Sequence, residues 1–233
     1  MQLQGDCIDQ ILIEAYSLIE KDGTPHVGSR GANKELVGVS FRLRHPRARL
    51  SRSNHRGVPL SATGELLWYL SGSDDVDFIA AYIPAYRKEV GANGRINGAY
   101  GPRLCSTYGL NQFDAVTDLL RRKPATRRAV MQLYSANDLE IDGEVPCTTT
   151  LQFFNRDGRL HLAASLRSND AYRGLPHDVF CFTMLQEMMA RRLSVRITEA
   201  AVGSPCFFLS SANRSRTIWR LKSDTALFRQ FLR

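Results

Sequence analysis

The chain has 233 residues, enough for one large domain or two small ones, and 43% of them are apolar, enough to bury a sizeable core. Charged residues make up 23%, with a formal net charge of +8 and a pI near 9.5; this surplus favours anionic partners such as nucleotides, other phosphates or nucleic acid, and says little about fold. No window approaches the ~18 apolar residues of a membrane span. "MQLQGDCIDQILIEAY" carries charge where a secretory leader needs an apolar stretch, and five cysteines without metal-like spacing argue against a disulfide framework and for a reducing cytoplasm.

Residues 8–20, "IDQILIEAYSLIE", place apolar positions at helical spacing, and "KDGTPHVGSRGAN" after them reads as a Gly/Pro-rich loop. "LVGVSFRLRHP" alternates as a strand does. "SATGELLWYLSGS" predicts a helix that opens on small polar residues and stops at Gly72. Residues 92–104, "ANGRINGAYGPRL", are too rich in Gly and Asn for regular structure and read as a long loop, while "NQFDAVTDLLRRKP" is an amphipathic helix ended by Pro124. The pattern then turns to short β-type runs, "RAVMQLYS", "TTTLQFFNRDGRLHLAASLRS" and "LSVRITEAAV", with a hairpin at "RDG" and a buried helix, "HDVFCFTMLQEMMARR", among them. No repeat or linker interrupts residues 1–233, so a single α+β domain is expected, its sheet concentrated in the second half.

Four features carry chemistry. Cys147 follows a proline at the mouth of a strand; free cysteines usually serve as small buried hydrophobes, but one at a strand end can face a cleft, and nearby arginines favour its thiolate. Arg127 and Arg128 stand at a helix-to-strand corner, Arg167 and Ser168 at a strand end, and Arg30 in a glycine-rich loop. Each is ordinarily a solvated charge; together, guanidinium forks and a hydroxyl suit a phosphate. Glu65 sits on an otherwise apolar helix, either as a solvent-facing residue or as a half-buried carboxylate fit for proton transfer. Asp178, two residues after Pro176, is placed in the first turn of its helix, where a carboxylate is favoured by the helix dipole alone.

Taken in order, these stretches resemble the thymidylate synthase superfamily. "ELLWYL" looks like its helix bearing a general acid/base glutamate, "GAYG" like its active-site tyrosine loop, and "RR" after a Pro-containing turn like the arginine pair that crosses to the partner subunit's phosphate. "PC" opening a strand looks like its nucleophile, and "RSND" followed by "GLPHD" like its phosphate-serine and base-recognition segment. The resemblance implies a large mixed β-sheet flanked by helices, with sheets packed back to back in a homodimer that shares its active sites. It implies Cys147 adding to C6 of a pyrimidine nucleotide, Glu65 working through water, Tyr100 aiding proton removal at C5, and 5,10-methylenetetrahydrofolate as the one-carbon co-substrate. Arg30, Arg167 and Ser168 would hold the phosphate together with Arg127 and Arg128 of the other subunit, beside Asn169, Asp170 and His177.

Thymidylate synthases carry asparagine where this chain has Asp178. An amide matches uracil's N3–H donor and O4 acceptor; an ionised carboxylate accepts from the amino group and protonated N3 of cytosine. The "RSND" and "CTTT" stretches also look like deoxycytidylate hydroxymethylases, which quench an exocyclic methylene with water. The resemblance therefore implies CMP or dCMP as substrate and a 5-hydroxymethyl product. Departures are visible: Cys206 and Phe208 replace the histidine and tyrosine that hold the sugar, "ALFRQFLR" is unlike the family's folate-closing tail, and His177 replaces an aromatic, either to activate water or to pack. Two alternatives stay open, a methylase or hydroxymethylase of UMP or dUMP and a catalytically silent nucleic-acid binder using "RLRHPRARLSRSNHR" and "RRKPATRR".

Overall fold

The computed structural model describes residues 1–28, 31–51, 59–210 and 213. Gln2–Gly5 (β1) leads into Ile8–Asp22 (α1), whose Ile8, Ile11, Leu12, Ala15 and Ile19 recur at helical spacing and are all fully buried. The expected loop after it is instead a hairpin, Thr24–Gly28 (β2) paired antiparallel with Gly31–Leu43 (β3). The side chains of β2 are almost all exposed, so no inward-facing alternation marks it in the sequence. Pro59–Ser71 (α2), the short helix Val76–Ala80 (α3) and a 3-10 turn at Pro84–Lys88 follow.

The long loop expected over 92–104 holds a helix, Tyr100–Cys105 (α4), which glycine-rich flanks disguise. Gly101 is there for contact: a β-carbon on it would come within 2.9 Å of the Trp68 carbonyl oxygen and 3.0 Å of that of Ser73. Its absence lets α4 pack directly on the end of α2. Gln112–Arg122 (α5), Val130–Gln132 (β4), Thr148–Arg156 (β5), Arg159–Leu166 (β6), Asn169–Asp170 (β7), Gly174–Arg192 (α6) and Arg196–Ser210 (β8) complete the order. The β5–β6 hairpin turns on Asp157 and Gly158, both at positive φ (51° and 68°), as a two-residue turn of this hand requires.

Among the described residues the strands form one eight-stranded sheet in the order β1-β3-β8-β6-β5-β4, with β2 on β3 and β7 on β8. β1/β3, β6/β8 and β7/β8 are parallel and the other pairs antiparallel, so the sheet is mixed. It is not confined to the second half of the chain, since β3 and β8 pair over ten residue positions at its middle. β8 runs well past Val202 and takes in the Gly203–Ser210 stretch.

Leu3, Phe41, Leu151, Phe153, Leu162, Ala164 and Val202 alternate inward and join the buried faces of the helices in one core. Burying Phe153 alone contributes on the order of 2–3 kcal/mol. Arg42, Phe154, Arg156, His161, Glu199 and Ala201 line a shallow depression on the sheet. No described helix is long and apolar enough to cross a membrane, and all five cysteines are free.

Candidate active site

Cys147 stands one residue before β5, half-buried, so it is not sealed in hydrocarbon. The β5–β6 ladder slips between Thr148 and Thr150, and a bulge there re-aims the chain beside the thiol. Arg167 clamps the approach: its Nε donates to the Pro146 carbonyl at 2.9 Å, an Nη to that of Val145 at 3.0 Å, and its backbone N–H to that of Cys147 at 2.8 Å. Thr148, fully buried, meets Tyr100 twice, its N–H donating to the phenol oxygen at 3.0 Å and its Oγ1 accepting from the phenol at 2.9 Å.

Tyr100 is where the pieces converge. Burial first, then the nearby Asp178 and Cys147, push its phenol pKa well up, which places nucleophile, phenol and carboxylate in one neighbourhood although they come from separate elements. Asp178 lies in the second turn of α6, not the first, so helix-start electrostatics do not account for it. It is only 8% exposed. Asn169 Nδ2 donates to its Oδ2 at 2.9 Å. Burial, followed by the charge of Glu65, pushes its carboxyl well above the usual range, and the Asn169 bond only partly opposes this. The carboxylate expected to be ionised thus sits in surroundings that favour its neutral form.

Glu65 is buried within α2 and faces inward rather than to solvent. Its Oε1 accepts from two phenols, Tyr69 at 3.0 Å and Tyr86 at 3.0 Å. Neither tyrosine stood out in the sequence. Tyr69 is readable in retrospect, being four residues along the same helix face; Tyr86 arrives from the 3-10 turn and carries no local signal.

The other expected residues divide. Asp170 Oδ1 accepts the backbone N–H groups of Tyr172 (2.7 Å) and Arg173 (3.1 Å), shaping the turn into α6. His177 bonds Ser61 Oγ through Nε2 and the Arg173 carbonyl through Nδ1, each at 3.0 Å, so it ties α6 to α2. A carbonyl only accepts, so Nδ1 carries the proton in that contact. Asn169 is buried in β7 opposite Phe207. Ser168, half-buried, lies beside Cys206, whose thiol donates to Glu35 Oε2 at 3.4 Å. Burial and then Glu35 push the Cys206 thiol up.

Arg127 and Arg128 are exposed, and their guanidinium groups bond to none of the described residues. Val130 faces Gln152, so the pair lies towards the far end of β5, roughly 16 Å or more of strand from Cys147. One chain does not bring them to its own thiol. Arg30 lies outside the described residues, as do 226–233, the atypical tail. In the first basic run, Arg42 pairs with Glu199, Arg44 with Asp6, and Arg47 and Arg49 with Glu187, which turns that charge onto the fold's own carboxylates; residues 52–58 of the run are not described.

A sequence model of thymidylate synthase matches residues 18–204. A curated thymidylate synthase of Symbiobacterium thermophilum is 29% identical over 175 residues, 68% of this chain and 59% of that protein; the chain thus spans somewhat less than two thirds of the length of the relative it matches. The family match runs through well over half of the chain and takes in Glu65, Tyr100, Cys147 and Asp178, and the chain belongs to the thymidylate synthase family.

Proposed function

We propose that this chain is a folate-dependent C5 hydroxymethyltransferase of a cytidylate, CMP or dCMP, working as a homodimer with shared sites. The products are the 5-hydroxymethyl nucleotide and tetrahydrofolate. The observation that carries the reading is Asp178, buried beside Tyr100 and Cys147 where family members that act on uracil have an amide.

Cys147 Sγ forms the bond to C6, and the ring's electron pair moves towards N3. Asp178 gives N3 its proton and, now a carboxylate, accepts from N3–H and the 4-amino group. C5 becomes nucleophilic and takes the one-carbon unit, which 5,10-methylenetetrahydrofolate supplies at the oxidation level of formaldehyde. Nucleotide and folate are both anions, which fits the chain's +8 charge. Tyr100 keeps its proton because burial raises its pKa, so the C5 proton leaves to water that this phenol orders. Loss of tetrahydrofolate leaves an exocyclic methylene on C5. Glu65 aims water at that carbon, the hydroxymethyl group forms as the water gives up one proton to solvent, and Asp178 takes back the N3 proton as Cys147 leaves C6 as a thiolate with the ring restored. Arg127 and Arg128 hold the phosphate of the other subunit's nucleotide, a role that their distance from their own thiol supports.

A protonated Asp178 refines the base argument. As an acid it donates to N3 of cytosine, yet it also matches uracil, donating to O4 and accepting from N3–H. Only cytosine N3 takes the proton, so discrimination falls on the chemical step more than on binding. That same match supports a second reading, a methylase or hydroxymethylase of UMP or dUMP. Product analysis separates the two, because methylation by hydride transfer yields dihydrofolate and hydroxymethylation yields tetrahydrofolate.

Tritium release from 5-tritiated CMP, dCMP, UMP and dUMP, with 5,10-methylenetetrahydrofolate, tests the assignment. Wild-type protein releases label from a cytidylate. Cys147→Ser lowers this by about 10⁴-fold or more, and Asp178→Asn lowers it by roughly 10²–10³-fold while admitting uracil. Release at the wild-type rate from either variant removes these roles.

A further inference from the structure

A row of side chains leads away from the nucleophile towards β3. Arg167 donates its backbone N–H to the Cys147 carbonyl at 2.8 Å, and Ser168 is the next residue. The Ser168 side chain lies against the Cys206 thiol, and that thiol donates to Glu35 Oε2 at 3.4 Å. Neighbouring strands build the row. Asn169 of β7 faces Phe207 of β8, and Phe208 of β8 faces Glu35 of β3. Strands about 4.8 Å apart put Glu35 roughly 10 Å across the sheet from β7.

Glu35 has no part in the chemistry described so far. Its side chain is 23% exposed, and among the described residues no arginine or lysine pairs with it. Oε2 holds the Cys206 thiol. Oε1 accepts no hydrogen bond from the described residues; His26 Nδ1 stands 4.0 Å from it. A pair of acceptor oxygens, one of them open, is thus set beside the strand end that carries Ser168.

A cytidylate seated on Cys147 presents a base edge, a sugar and a phosphate. The base edge is met by Asp178. The phosphate is an anion, which a carboxylate repels. The sugar hangs from N1, the ring atom next to the C6 that the thiol attacks, and its hydroxyls are O–H donors that a carboxylate accepts. Ribose carries adjacent 2′- and 3′-hydroxyls, one for each carboxylate oxygen, whereas 2′-deoxyribose lacks the first. An acidic side chain on the ribose 2′-hydroxyl is also the solution that dinucleotide-binding folds use.

We propose that Glu35 is a specificity-determining residue that accepts from the 2′- and 3′-hydroxyls of the sugar, so that the chain prefers the ribonucleotide CMP to dCMP. Cys206 positions it, because the thiol holds Oε2 and leaves Oε1 available. The proposal deepens the hydroxymethyltransferase reading and rests on it for the seating of the nucleotide. A Glu35 that only braced β2 on β3 through His26 would affect every nucleotide alike; one that reads the sugar changes the ratio between ribo and deoxy forms.

The test titrates full-length wild type, Glu35→Ala and Glu35→Gln calorimetrically with CMP, dCMP, UMP and dUMP. The quantity read is the ratio of dissociation constants, deoxy over ribo, for each base. Wild type binds CMP roughly 10–100-fold more tightly than dCMP, the weight of one hydrogen bond to a charged group. Glu35→Ala brings the ratio to within about 3-fold of unity, chiefly by weakening CMP, and Glu35→Gln, which keeps one acceptor, falls between. Equal wild-type affinity for CMP and dCMP, or a wild-type ratio retained in Glu35→Ala, overturns the proposal. If Glu35→Ala fails to fold, Glu35→Gln decides: a ratio that falls by about 3-fold or more supports the proposal and a smaller change overturns it. A preference for UMP over CMP removes the cytosine reading and spares this one, because the UMP and dUMP ratio judges Glu35 in the same way. A chain that binds none of the four nucleotides overturns both.

Discussion

Arg103 and Asp138 are buried together, as Glu65 and Asp178 are, yet the two pairs are neutralised in opposite ways. Arg103 gives its Nη1 to Asp138 Oδ2 at 2.8 Å and to the Leu133 carbonyl at 2.7 Å, and its Nη2 to Asp138 Oδ1 and to the Asn97 carbonyl. Burial works against ionisation of Asp138, but the Arg103 bonds and the Ser135 N–H outweigh it and hold the carboxyl low. Around Glu65 and Asp178 the donors among the described residues are neutral, and the Asp178 carboxyl is pushed up instead. A charge met by a cation is fixed and holds loops in place. A carboxyl met by an amide alone is pushed towards its neutral form, which suits the proton transfer to N3 proposed for Asp178.

The largest expected effect comes from breaking the fixed pair. Arg103→Met leaves Asp138 buried without its cation and costs about 3–5 kcal/mol in urea unfolding. Glu65→Gln, which removes a buried carboxyl that no described cation matches, leaves stability unchanged or raised. Equal losses from both would erase the distinction between the pairs.

A third pair, Arg127 and Arg128, is exposed and bonds through its guanidinium groups to none of the described residues, and its partner is proposed to be the other subunit's nucleotide. An Arg127→Ala/Arg128→Ala chain and a Cys147→Ser chain, each inactive alone, regain up to roughly a quarter of wild-type tritium release when refolded together, because half the dimers then carry one intact site. A mixture as inactive as its components places the arginines elsewhere.

The smallest effect concerns Asp178 and pH. Its folded-state pKa is raised by burial and by Glu65, so the stability it contributes is complete below the unfolded value near 4 and is lost as pH rises towards the folded value. Asparagine has no such titration. The melting temperature of Asp178→Asn minus that of wild type therefore grows by a few degrees between pH 4 and pH 8. A difference that is flat across this range places the proton elsewhere.

Much of this was legible in the residues themselves. α1 and α5 announce themselves by spacing, the β5–β6 hairpin by its Asp-Gly turn, and the thiol by its place before a strand. β2 and α4 were hidden because glycine and exposure remove the periodic signal that marks other elements. The upward push on the Asp178 carboxyl was hidden for a different reason: it comes from burial first and then from Glu65, on another helix and far away in sequence, and no local pattern reports such surroundings. Tyr86 reaches Glu65 from a turn with no period at all.

The double contact between Thr148 and Tyr100 has a mechanical side. The residue next to the sulfur is latched to the phenol by two bonds that share one oxygen, so a swing of the thiol drags the phenol with it. In the mechanism proposed above, attack on the ring and the ordering of water above it are thereby geared to a single movement, and loosening that latch with Thr148→Val would let the two fall out of step.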